Sequence, residues 1–106
     1  MPFKNKKELQ RLWESIEPNF VSQLSKNLKL TDIDYSVGNN DEPNLGIELN
    51  HKWAFFIFNE NDASISLYSH ERLPIEIMEN VLKVKTVLMQ LVFPKQVKYN
   101  KALKAE

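Results

Sequence analysis

The sequence predicts an α+β fold, a four-stranded antiparallel meander sheet flanked by an N-terminal and a C-terminal helix. Apolar residues recur every three or four positions over residues 9–28 and 75–92, whereas residues 31–68 alternate between apolar and polar. No helical pattern interrupts the alternating stretch, so its strands should pair antiparallel through short turns. The 106 residues suit one domain, which we place at 1–94, followed by a basic tail or short helix at 95–106.

The first helix is predicted to begin directly after Asn5. The Asn5 side chain can accept a hydrogen bond from the backbone of the first turn, and Glu8 can reach back to cap the same turn. Pro18 lies inside the helical pattern and has no N–H group to donate. Two alternatives therefore stay open, namely one helix that kinks at Pro18 or a second helix with Pro18 in its first turn. The residues at helical spacing are Leu9, Leu12, Trp13, Ile16, Phe20, Leu24 and Leu28.

Turn residues divide the next stretch into four strands. Residues 38–43 have turn chemistry throughout, Asn50 and His51 suit a tight turn, and the polar residues 59–62 end the third strand. The alternation of apolar and polar residues predicts strands at 31–37, 45–49, 53–58 and 63–68.

The second helix is predicted to open at Pro74, with Glu76 and Glu79 near its positive end, and to end at Pro94. Its predicted buried side consists of Ile77, Met78, Val81, Leu82, Leu88, Met89 and Val92. Four further apolar residues make the stripe wider than one sheet face needs, which indicates a second contact surface. These residues are Ile75, Val84, Val87 and Leu91.

The third strand is apolar on both faces. One face has Trp53, Phe55 and Ile57, and the other has Ala54, Phe56 and Phe58. Either this strand lies at the centre of the core with a helix on each side, or one face is an interface with another protein.

Charge is segregated along the chain. Residues 31–62 carry seven acids and one base, whereas residues 1–30 and 95–106 each have a net charge of +3. An acidic sheet between basic ends suits a basic partner, or two subunits held in register.

These features predict a non-catalytic protein-binding module that forms a homodimer and acts as an adaptor, inhibitor or chaperone-like factor. The absence of cysteine and of an apolar stretch behind the N-terminal lysines favours the cytoplasm, and the abundance of Lys, Asn and Ile is typical of a bacterial or phage protein. Aromatic anchors with an acidic rim are the expected binding residues. They are Trp53, Phe56, Phe58 and Tyr68, with Asp41, Glu42, Glu60 and Asp62.

Two alternatives use other residues. Nucleic acid would bind the basic tail, through Lys95, Lys98, Lys101 and Lys104, although Tyr99 is the one aromatic residue among them. A metal-dependent hydrolase would use the acidic residues Asp32, Asp34, Asp41, Glu42 and Glu48. The sequence has no Gly-rich phosphate loop, and neither histidine belongs to a catalytic arrangement. We therefore predict no enzyme, no metal site and no cofactor.

Overall fold

The computed structural model describes residues 6–37, 43–59 and 61–95, and in these it confirms the predicted α+β architecture. Two helices flank one antiparallel sheet whose strands lie in chain order. The elements are α1 (Lys6–Ser22), β1 (Leu30–Val37), β2 (Pro43–Leu49), β3 (Lys52–Asn59), β4 (Ser64–Tyr68) and α2 (Ile75–Val92).

The first helix is a single helix that runs through the exposed Pro18. It ends at Ser22, so the predicted extension to residue 28 is wrong, because tight turns follow. The amide of Gln23 donates to the carbonyl of Phe20 at 3.1 Å, and the amide of Leu28 donates to that of Ser25 at 3.0 Å. Leu28 is nevertheless buried in the core. The predicted cap at Asn5 lies outside the described residues.

The second helix begins directly after Pro74, and its end is closed by the Phe93 amide, which donates to the Met89 carbonyl at 2.9 Å. The prediction of its buried side is wrong at Leu82, which is 46% exposed. At about 100° per residue, Leu82 points away from the side that carries Val84 and Leu88. The side chains buried on this helix are Ile77, Asn80, Val81, Val84 and Leu88.

Both helices pack on one face of the sheet, which we call the inner face. The first helix contacts β1 and β2, and the second contacts β4. Trp13 of α1 is fully buried, and its ring meets the ring of Phe20 edge-on at a centroid distance of 5.7 Å. The inner face consists of Ile33, Tyr35, Leu45, Ile47, Leu49, Ala54, Phe56, Phe58, Ile65 and Leu67.

The packing of α1 on β1 affects the pKa of Tyr35, which lies on β1. Burial raises the pKa of the Tyr35 phenol, and the carboxylates of Glu17 and Glu14 on α1 add to the effect. The negative charges oppose formation of a phenolate beside them. The acidic side of α1 therefore lies close enough to β1 to disfavour ionisation of Tyr35.

The connection between β2 and β3 is the predicted tight turn, formed by Asn50 and His51. Their φ angles are 51° and 65°, a left-handed conformation that asparagine tolerates better than most residues. The Asn50 side chain also binds the loop before β1: its oxygen accepts from the Lys29 amide and its nitrogen donates to the Asn27 carbonyl, each at 2.8 Å. The turn therefore joins the sheet to the loop that follows α1.

No helix within the described ranges has both the length and the hydropathy that crossing a bilayer requires.

Substitution of Asn50 tests how much this turn contributes to stability. Asn50→Gly keeps the left-handed backbone and removes two hydrogen bonds, so we expect the free energy of unfolding to fall by about 1–2 kcal/mol. Asn50→Ala loses the same two bonds and, unlike glycine, keeps a Cβ atom in the left-handed conformation without the polar side chain that lets asparagine tolerate it, so we expect its loss to be about 1 kcal/mol larger. Urea unfolding monitored by circular dichroism measures both values. Equal stability of the two variants would contradict the left-handed conformation, and wild-type stability in both would contradict the hydrogen bonds.

Candidate functional site

The face of the sheet opposite the helices, which we call the outer face, is not covered by any helix of the described chain. Along each strand, the residues of the outer face alternate with residues that point into the core. Cross-strand pairing aligns the outward residues of neighbouring strands in rows. The central row runs from Asp34 through Gly46 and Phe55 to Tyr68. The outer face comprises Asp32, Asp34, Ser36, Asn44, Gly46, Glu48, Trp53, Phe55, Ile57, Asn59, Ser64, Ser66 and Tyr68.

Four rings form an aromatic cluster on the β3–β4 half of the outer face: Trp53, Phe55, Tyr68 and His70. The rings of Trp53 and Phe55 stack with their centroids 5.6 Å apart and an angle of 7° between their planes. Across the strands, the centroids of Phe55 and Tyr68 are 6.4 Å apart. Tyr68 is 49% exposed, so the cluster presents apolar area to solvent.

His70 belongs to this cluster although it follows the end of β4. Its ring meets Phe55 edge-on at a centroid distance of 5.5 Å and Tyr68 edge-on at 5.1 Å. The Tyr68 hydroxyl and His70 Nδ1 are 3.2 Å apart, a hydrogen-bond distance. The imidazole therefore holds the tyrosine ring in place from the side.

Gly46 provides the space in which the cluster packs. A Cβ atom at this position would lie 2.8 Å from Phe55 Cε1 and 3.1 Å from the Trp53 ring atom Cζ3. Both distances are shorter than ordinary van der Waals contacts. The two rings thus lie directly over the backbone of β2, and only glycine permits this arrangement.

Three carboxylates border the cluster on the β1–β2 half of the face, and we call them the acidic border: Asp32, Asp34 and Glu48. Asp32 and Glu48 are cross-strand partners, and Glu48 is also paired with Trp53 on β3. Glu48 Oε1 accepts a hydrogen bond from the Thr31 hydroxyl at 2.6 Å, and His51 Nδ1 lies 3.8 Å from the same oxygen. The carboxylate of Glu48 is therefore fixed beside the aromatic rings.

The structure places the sequence-predicted aromatic residues on two different faces. Trp53 and Tyr68 lie on the outer face, in the aromatic cluster. Phe56 and Phe58 are fully buried on the inner face, where they align with Leu67 and Ile65 of β4. This corrects their assignment to an exposed interface, because a strand points alternate side chains to opposite faces.

Of the four residues of the predicted acidic rim, one lies within the part of the chain that the structure describes. Asp62 is exposed in the turn between β3 and β4, whereas Asp41, Glu42 and Glu60 lie outside the described residues. Sequence reasoning missed the acidic border as part of this surface, although Asp32 and Asp34 alternate with Ile33 and Tyr35 and must therefore point away from the core. It also missed Phe55 and His70 as members of the cluster.

The residues of the two alternative functions are described only in part. Lys95 is exposed just beyond α2, and Lys98, Lys101 and Lys104 lie outside the described residues. Of the acidic set, Asp32, Asp34 and Glu48 are on the outer face, and Asp41 and Glu42 are not described. Over residues 6–37, 43–59 and 61–95, no three His, Cys, Asp or Glu side chains come together as a metal-binding group.

Comparison with known proteins finds no matching family model, no similar curated protein and no similar solved structure.

Replacement of Gly46 tests the packing of the cluster. In Gly46→Ala the new methyl group displaces the Phe55 and Trp53 rings, so we expect an altered near-ultraviolet circular dichroism signal and a loss of stability of about 1 kcal/mol. The loss is modest because the rings can move toward solvent. Ser66→Ala, on the same face, is the matched control and should leave the aromatic signal unchanged. An unchanged aromatic signal in Gly46→Ala would show that the rings do not rest on this residue.

Proposed function

We propose that the protein is a non-catalytic protein-binding module that holds a basic segment of a partner protein on the outer face of its sheet. The observation that carries this proposal is the aromatic cluster, which stays open to solvent beside the acidic border. Aromatic rings anchor interfaces because they remove much area from water while few torsions become fixed. The cluster is already packed in the free protein, so little ordering is needed when a partner binds.

The charge of the outer face indicates the chemistry of the partner. The acidic border contributes three carboxylates, and none of the outward strand positions of the described sheet is a lysine or arginine. A partner with Lys or Arg side chains would pair with these acids. The same cations can lie over the faces of Trp53 and Tyr68, which attract positive charge. A segment that carries Lys or Arg side chains next to an apolar residue therefore matches both the acidic border and the aromatic cluster.

The size of the outer face favours a segment over a large globular surface. Four strands of five to eight residues present a face of roughly 400 Å² at the usual strand spacing and rise. Each partner in a stable complex of standard size buries about 800 Å². An extended or helical segment fits the smaller area.

Self-association through this face is less favourable than binding of a basic partner. A two-fold symmetric interface must be complementary to itself. A second copy would add three more carboxylates to the interface, and none of the outward positions of the described strands carries a Lys or Arg to pair with them. The homodimer predicted from the sequence therefore stays a prediction, which light scattering at two protein concentrations tests directly.

Selection from a random 12-residue peptide library tests the proposal. We expect the wild-type protein to enrich peptides that combine Lys or Arg with an aromatic residue. Tyr68→Ser should weaken the binding of such a peptide about tenfold or more, because it removes an exposed aromatic anchor from the cluster. Affinity should also fall as salt concentration rises, since the acidic border contributes to binding. Isothermal titration calorimetry measures both effects.

Leu82→Ser is the matched control, because Leu82 has nearly the same exposure, 46% against 49% for Tyr68, and lies on the helix side. It should leave the affinity of the selected peptide unchanged. Enrichment of peptides without basic residues, or equal weakening by both substitutions, would refute the proposed surface. A particle of twice the chain mass that dissociates in Tyr68→Ser would instead assign this face to self-association.

A further inference from the structure

The second helix carries a row of mostly apolar side chains in addition to the side that packs on the sheet, and we call this row the α2 seam. Its members follow one another at alternating intervals of three and four residues, which is the spacing of the side chains that two paired helices bury between them. Ile75 and Leu82 are 77% and 46% exposed, and the three other apolar members are only partly buried. The α2 seam consists of Ile75, Met78, Leu82, Lys85, Met89 and Val92.

The α2 seam lies on the side of the helix that faces away from α1. Val84, Val87 and Leu91 line the groove between the two helices. At 100° per residue, Leu82 points about 140° away from Val87. Within the described part of the chain, therefore, α1 does not cover the seam. The spacing of the seam matches a helix that lies lengthwise along it.

We propose that the α2 seam pairs with the same seam of a second copy of this chain, with the two α2 helices antiparallel about a two-fold axis. Such an interface has to be complementary to itself. With the axis midway between Leu82 and Lys85, each apolar residue of one copy meets an apolar residue or the aliphatic stem of the lysine in the other copy. The seam residues then pair as Ile75 with Val92, Met78 with Met89, and Leu82 with Lys85.

Charge complementarity favours the antiparallel arrangement. Lys85 of one copy lies opposite Leu82 of the other, one turn along from Glu79, so its ammonium group can reach the Glu79 carboxylate. The two-fold axis makes this ion pair twice. Neither side chain forms an ion pair within the described residues. A parallel arrangement would instead place the two copies of Lys85 opposite each other, where like charges repel.

This interface is separate from the outer face of the sheet. Each aromatic cluster with its acidic border belongs to a single chain, so pairing of the α2 helices leaves it complete. Leu82→Ser should therefore weaken the dimer and leave the affinity for a basic peptide unchanged, whereas Tyr68→Ser should do the reverse. The dimer and the proposed function can accordingly fail independently of each other.

Sedimentation equilibrium of the full chain tests the dimer. We expect a particle of twice the 12.5 kDa chain mass. Leu82→Ser should raise its dissociation constant about tenfold or more, because an apolar side chain is lost from both copies. Leu91→Ser is the matched control, since Leu91 is 51% exposed on the groove side of the same helix, and it should leave the constant unchanged. A wild-type monomer at millimolar concentration, or equal effects of the two substitutions, would overturn the proposal.

A charge exchange tests the antiparallel pairing. Lys85→Glu should weaken the dimer about tenfold, because it brings carboxylates of the two copies together. The double variant Glu79→Lys, Lys85→Glu restores opposite charges across the axis and should recover the wild-type dissociation constant. Far-ultraviolet circular dichroism verifies that each variant keeps its helices. A double variant as weak as Lys85→Glu alone would overturn the antiparallel arrangement, and a dimer lost in Tyr68→Ser but kept in Leu82→Ser would overturn the seam as the interface.

Discussion

The register between β2 and β3 decides which side of this molecule is core and which is surface. A two-residue turn at Asn50 and His51 pairs Leu49 with Lys52, so that Ile47 and Leu45 align with Ala54 and Phe56. A slip of one residue would turn all the inward side chains of a strand outward. Because β3 is apolar on both sides, hydrophobic burial alone could not prevent such a slip. The left-handed turn, held to the loop after α1, supplies the missing constraint.

In this register, β3 has more apolar side chains than the helices cover. The helices cover Phe56 and Phe58, and the side chains of the opposite face pack against one another over Gly46. Stacked and edge-on ring pairs contribute about 0.5–1.5 kcal/mol each beyond the area they bury. The cluster is therefore an ordered surface and not a set of independent exposed side chains. The helix side of the molecule has a different surface from this cluster. There α1 and α2 leave a groove between them, with the buried amide of Asn80 at its side.

Local patterns in the sequence predicted the elements well, because β1, β2 and β4 alternate between apolar and polar residues, turn residues bound the apolar β3, and each helix has a continuous apolar stripe. They failed where a residue's environment depends on several elements. Leu28 continues the helical stripe of α1 yet lies in a turn, and Leu82 belongs to an apolar helix whose buried side is set by the sheet. The burial of Phe56 was within reach of the sequence, since the tight turn at Asn50 and the pattern of β2 together fix its direction. His70 was not, because its ring contacts Phe55 only after the chain leaves β4.

Two carboxylates of the acidic border, Asp32 and Asp34, also lie on β1, which is one of the two edge strands of the sheet. Among the residues that the structure describes, the first strand pairs with β2 on one side and with no strand on the other. If two copies paired antiparallel along this edge in the register centred on Ile33, Asp32 of each chain would lie opposite Asp34 of the other, and like charges in that position repel. Pairing of two copies along β1 is thereby disfavoured, which makes this edge a poor template for aggregation.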